Sequence, residues 1–325
     1  MRTASVSFAA ALIFSFLTVA EAQDFYRQEA HITLVGLMDN MLYPPKDKEK
    51  CTKLARRSID TIKDYRFEGV VQAQQTTMMI REGCFDAYSH FIAPSVSIDP
   101  SFSSSVTPVF ETYSAPPVLE VGKSIYEDAE ARGALYVQVP SFFAHPATHL
   151  VKKMSEYVRK EGKEPRFLIL DLRNNYGGDI LRLQQFLELF SPGTQDLAYS
   201  LVPRVGSVTE VRFGSRGSFA HIPAAVLVNK VTWSAAETAA GVLKQFGKVI
   251  VGEKTRGKGV TQRRHNLGFI EVALTKSEVL LGPQKIPYHG HGIDPDVGMR
   301  VVDATPTYTA SDPTYRKAIE GLYLP

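Results

Sequence analysis

From residue 133 onward the apolar positions fall into short runs separated by stretches with helical spacing. Ala134-Leu135-Tyr136-Val137-Gln138-Val139 alternates like a strand, whereas Phe167–Leu172, Ala224–Asn229 and Val249–Gly252 are the continuous apolar runs of strands buried on both faces. Between them, residues 147–160 predict a helix, and residues 179–190 predict a second with Ile180, Leu183, Leu187 and Phe190 on one face. Residues 234–246 predict a third, rich in small residues and ended by Gly247. Strands alternating with helices imply a mostly parallel sheet with helices packed on it, so the fold class is mixed α/β.

The first part of the chain carries a different pattern. Residues 24–92 read as helical, through Ile32, Val35, Met38 and Leu42 (stopped at Pro44-Pro45), then Leu54, Ile59 and Ile62, then Val71, Met78 and Met79. Residues 93–132 are rich in serine and proline and read as a linker with short strands.

Composition adds compartment rather than fold. Of 325 residues, 44% are hydrophobic and 22% charged, and the net charge is +3, too balanced to argue for nucleic acid. Arg2, the apolar stretch Ala9–Leu17 and the small-residue site Ala20-Glu21-Ala22 have the order of a secretory signal peptide cut near Ala22, too short for a membrane span. No cysteine follows that site, so no lipid anchor is expected. The mature chain is expected in the periplasm or outside the cell, without stable membrane insertion. In such a compartment the two cysteines, Cys51 and Cys84, are expected to form a disulfide, contributing about 3–4 kcal/mol by loop closure.

Three segments carry candidate chemistry. Val228-Asn229-Lys230-Val231-Thr232-Trp233-Ser234-Ala235 puts Ser234 where a helix begins, next to unpaired N–H groups such as that of Ala235, which could hold an oxyanion. Serine is also favoured at that position as a plain helix cap. Gly252-Glu253-Lys254-Thr255-Arg256-Gly257-Lys258-Gly259 has the spacing of a phosphate loop. Gly259 stands where a Ser or Thr is required, however, and residues 266–272 read as a hairpin rather than a helix. The remaining reading is a lysine on a glycine turn, able to act as a base once its amine is neutral. Leu170-Asp171-Leu172-Arg173-Asn174-Asn175-Tyr176-Gly177-Gly178 runs from a buried strand into a glycine turn that could supply a second donor. His289 and His291 with Asp294 and Asp296 suggest a metal site only weakly, and His265 is a lesser candidate base.

Taken in order, these segments resemble the carboxyl-terminal processing peptidases, or tail-specific proteases, which use a serine–lysine dyad. Leu170–Gly178 follows that family's L-D-L-R-N-N-x-G-G. Val228, Asn229, Ser234, Ala235 and Glu237 follow its nucleophile segment, and Gly252, Glu253, Thr255, Gly257, Lys258, Gly259 and Gln262 follow its base segment. Gly292-Ile293-Asp294-Pro295-Asp296 follows its closing segment, and Phe85–Phe91 resembles the end of its helical region. The resemblance implies a crotonase/ClpP-like core with Ser234 as nucleophile, Lys258 as base and Gln262 steering the lysine amine. Gly177 (or Gly178) and Ala235 would form the oxyanion hole. Asp171, Arg173 and Glu237 would hold the site together. Tyr176 departs from the pattern's proline, and Thr232-Trp233 from its Ser-Ala. The family's PDZ domain has no full counterpart in residues 93–132.

The expected organisation is a signal peptide (1–22), a helical region (23–92), a linker (93–132) and a catalytic domain (133–325). The expected activity is that of a secreted or periplasmic serine endopeptidase acting on polypeptides, without cofactor or metal; an adaptor or a homodimer stays open. The alternatives are a peptide-binding protein with a retired core and a serine–lysine esterase or amidase.

Overall fold

The computed structural model describes residues 124–266, 271–298 and 308–323, together with residues 34, 36–38, 41, 45–61, 84, 89–92 and 306. The signal peptide, the helix read around Val71–Met79, most of the one read from Ile32 to Leu42, and residues 93–123 of the linker lie outside the described residues.

Along the chain the elements are α1 (Lys48–Thr61), β1 (His90–Ile92), α2 (Ile125–Ala131), β2 (Ala134–Gln138), α3 (Pro146–Glu161), β3 (Phe167–Asp171), α4 (Ile180–Glu188), β4 (Leu197–Pro203), β5 (Thr209–Arg212) and β6 (Ala224–Val228). They continue with α5 (Ala235–Gln245), β7 (Val249–Gly252), β8 (Val260–Asn266), β9 (Glu271–Leu281), β10 (Ile286–Pro287), β11 (Val297–Gly298) and α6 (Pro313–Tyr323). They divide into two compact units, Met1–Ser104 with Pro203–Gly206 and Gln262–Ser277, and Ser105–Val202 with Ser207–Thr261 and Glu278–Pro325.

In the first unit, α1 buries Cys51 and Ala55, one turn apart on one face. Cys51 is bonded to Cys84 (S–S 2.01 Å, Cα–Cα 5.4 Å). Strand β1 runs antiparallel to the start of β9, with His90 opposite Ala273, and Thr275 N–H donates to the buried Ser89 hydroxyl at 3.1 Å.

The second unit is built on a five-stranded parallel sheet in the order β11-β7-β6-β3-β2. Alternation within each strand divides its side chains cleanly. Leu135, Val137, Leu168, Leu170, Ala224, Val226, Val228 and Ile250 enter one core, with buried residues of α3, α4 and α5. Ala134, Tyr136, Ile169, Ala225, Leu227 and Val251 enter the other, with α2 and α6. Both faces are covered, which is why the strands read as continuous apolar runs. Helix α5 is buried from Ala235 to Leu243, and its small residues allow this: a Cβ at Gly241 would meet Leu281 Cδ1 at 2.4 Å.

One polar network crosses the second core. Arg173 lies buried between Asp171 (Nη2–Oδ2 2.6 Å) and Asp312 (Nη1 to both oxygens, 2.8 Å), and Tyr136 donates to Asp171 at 2.6 Å. Burial works against the Arg173 cation, but the two carboxylates outweigh it and its pKa is raised. Asp312 also accepts from Tyr315 N–H (3.0 Å) at the start of α6, so the network ties the last helix to the turn after β3. Removing one partner leaves a buried charge uncompensated. Asp312→Ala is therefore expected to lower stability by about 3–5 kcal/mol in urea unfolding, and a loss under about 1 kcal/mol would show the network to be dispensable.

Candidate active site

Strands β3, β6 and β7 are neighbours, and each ends in one of the three segments singled out above. The carboxyl ends of adjacent parallel strands are where open α/β sheets place ligands. The turns are stitched together there. Asn229 Nδ2 donates to Asn174 Oδ1 (2.8 Å) and Asn174 N–H to Asn229 Oδ1 (3.1 Å). Thr232 Oγ1 donates to Leu172 O (2.9 Å) and Trp233 N–H to Asn175 O (2.8 Å).

Ser234 sits between β6 and α5 with φ 56° and ψ −122°. A helix cap is ordinarily extended with negative φ; this conformation belongs to glycine and costs a serine about 1–3 kcal/mol. It persists because neighbouring groups hold it. Ser234 N–H donates to Glu237 Oε2 (2.9 Å), and Glu237 N–H donates back to Ser234 O (2.9 Å). Gly177 (φ 93°) lies against the serine, where an added Cβ would stand 2.8 Å from Ser234 Cβ and 2.9 Å from Ala235 N. Only a residue without a side chain fits there.

Glu237 is fully buried and is the hub of the site. Oε1 accepts from Thr255 Oγ1 (2.6 Å) and Gly257 N–H (2.5 Å), and Oε2 from Ser234 N–H (2.9 Å) and Lys258 N–H (2.7 Å). Burial pushes its carboxyl up, while the four donors pull against that shift. Lys258 therefore enters the site through its backbone, anchored to the oxygen that anchors Ser234. Its Nζ stands 5.2 Å from the centre of the Trp233 ring.

The glycines of the lysine loop let it lie on the closing segment. Gly290 N–H donates to Gly257 O (2.8 Å), Ile293 N–H donates to Thr255 Oγ1 (2.7 Å), and a Cβ at Gly259 would meet His289 N at 2.7 Å. Asp294 pairs with Lys254 (3.1 Å) and Asp296 with Lys244 (2.8 Å), so both carboxylates of the weak metal motif are engaged by lysines. No metal-type cluster occurs among the described residues.

Gly177 N–H donates to Asn175 Oδ1 (2.8 Å) and is engaged in this state. Its neighbour Gly178 bridges Phe142 in parallel fashion, through Phe142 N–H to Gly177 O (2.8 Å) and Asp179 N–H to Phe142 O (3.2 Å). The alternation of a strand then turns the N–H of Gly178 itself away from Phe142. Gln262 and His265 lie on β8 in the first unit, and burial together with Arg263 and Lys276 lowers the His265 pKa. Sequence reasoning gave no role to Thr255 beyond its place in the motif, nor any to Asp312. The signal that could have found Asp312 is the Asp-Pro pair opening an i, i+3, i+4, i+7 pattern (Tyr315, Ala318, Ile319, Leu322), the mark of a helix cap.

Residues 133–299 match peptidase family S41. The chain is 30% identical over 163 residues to the chloroplastic carboxyl-terminal-processing peptidase 3 of Arabidopsis thaliana, a stretch covering 50% of this chain and 31% of that protein. It is 28% identical over 172 residues to the carboxy-terminal processing protease CtpB of Bacillus subtilis, covering 52% and 34%. The chain thus spans about a third of the length of these relatives. In fold it is similar to a lipoprotein from Streptococcus agalactiae, with TM-score 0.56, 17% identity and coverage of 85% of this chain and 92% of that one.

In Glu237→Gln, the amide nitrogen cannot accept, so two of the four donors lose their acceptor. The variant is expected to be about 2–6 kcal/mol less stable in chemical unfolding. Unchanged stability would mean that the carboxylate does not hold the two turns.

Proposed function

Because the chain belongs to peptidase family S41, we propose that it is a serine peptidase of the carboxyl-terminal processing type, working through a Ser234–Lys258 dyad. The observation that carries this reading is that the N–H groups of Ser234 and Lys258 share one acceptor atom, Glu237 Oε2. A nucleophile and a base from different strands are thereby fixed to a common point.

In the proposed reaction the neutral amine of Lys258 takes the proton of Ser234 Oγ. The oxygen attacks the peptide carbonyl. The N–H groups of Ala235 and Gly178 hold the oxyanion, Gly178 being preferred to Gly177 because the latter is engaged with Asn175. Lys258, now an ammonium, protonates the leaving amine, and water then clears the acyl-enzyme by the same steps. The chemistry asks for no metal or organic cofactor. Export to an oxidising compartment is part of the proposal, supported by the Cys51–Cys84 disulfide. None of the described helices is long and apolar enough to cross a membrane.

The test is cleavage of an unfolded protein by the chain and by Ser234→Ala and Lys258→Ala. Each variant is expected to lose at least about a thousandfold in rate. Full activity in Lys258→Ala would remove the dyad, and cleavage of short esters but never of peptides would favour an esterase.

A further inference from the structure

Three side chains form a row at the rim of the Ser234 site. The Tyr176 ring meets the Trp233 ring edge-on at 6.5 Å, and Arg256 Cζ lies over the Trp233 ring at 5.6 Å from its centre. The backbone fixes this arrangement, since Arg256 N–H donates to Thr232 O (3.1 Å), one residue before Trp233. The Arg256 side chain is exposed and enters no ion pair among the described residues. Asp294 is paired with Lys254, Asp296 with Lys244, and Glu237 with its four donors, while Glu253 Oε2, earlier in the loop that carries Arg256, is buried without a hydrogen-bond partner among the described residues.

An arginine stacked on an indole keeps its planar fork of N–H donors pointing outward and loses little further freedom when it binds. That fork matches a carboxylate with two parallel hydrogen bonds. Lys258, on the same ring, must be neutral to act as the base, whereas the guanidinium of Arg256 keeps its charge. We propose that Arg256, held on Trp233, is a specificity residue that takes a carboxylate of the polypeptide substrate within a residue or two of the bond that Ser234 attacks. The proposal rests on the peptidase reading. It deepens that reading by naming the substrate class: chains bearing an acidic side chain or a terminal carboxylate near the cleaved bond.

Trp233 is the single tryptophan of the chain, so its fluorescence reports occupancy of this site directly. Peptides are titrated into Ser234→Ala, which cannot turn them over. One set carries a single Glu at successive positions and an amidated end. A second carries Gln with a free terminal carboxylate, and a third Gln with an amidated end. The best carboxylate-bearing peptide is expected to bind about tenfold more tightly than the neutral one. Whether it comes from the first or the second set identifies the source of the carboxylate. Adding Arg256→Gln is expected to bring that ratio close to one, and Arg256→Glu to invert it in favour of a Lys-bearing peptide. Equal binding of neutral and acidic peptides by Ser234→Ala, or a preference that survives Arg256→Gln, would overturn the proposal. Cleavage of the same peptides by the unaltered chain is the separate check: no cleavage with the binding ratio intact would count against the peptidase reading alone.

Discussion

The carboxylate of Glu237 is the contact on which the site depends. It sits one turn into a helix that is buried along nearly its whole length, where water cannot replace a missing partner. Its four donors come from the residue before that helix and from the loop after the next strand. A buried carboxylate with fewer donors would be driven toward its neutral form and would hold less. With all four in place it does two things at once. It keeps Ser234 in a backbone conformation that serine otherwise avoids, and it fixes the backbone of Lys258 relative to that serine.

The rest of the second unit serves this arrangement. Parallel pairing of β3, β6 and β7 brings their carboxyl ends side by side, so three turns distant in sequence meet without a long loop. Glycine appears where backbone must touch backbone. Gly177 closes on Ser234, and Gly252 lies so near Val228 O that a Cβ would approach to 2.0 Å. On the far face, the Arg173 network anchors the turn that carries Gly177 and Gly178 to the last helix. A change in that network would therefore be felt both in stability and at the site.

Much of this was legible in the sequence. The strands of the sheet were readable because burial on both faces leaves a continuous apolar run, and the helices because their apolar positions keep a single face. The assignment of Glu237 to holding the site together rather than to chemistry also came from the sequence, through the resemblance. Its partners did not, since Thr255, Gly257 and Lys258 reach it only through the meeting of strand ends. Arg173 and Asp312 are 139 residues apart, and no local pattern joins them. The row Tyr176–Trp233–Arg256 was hidden for the same reason. Two of its members were visible as departures from a pattern, yet the ring contact that gives them a common purpose exists only in the fold.

The central claim is that Lys258 activates Ser234 because Glu237 holds both. Its most direct test is covalent labelling with a fluorophosphonate, followed by intact mass and peptide mapping. The expected result is one adduct, on Ser234, that is lost in Lys258→Ala and strongly slowed in Glu237→Gln. Labelling of Ser234 at an unchanged rate in Lys258→Ala, or an adduct at another residue, would contradict the account.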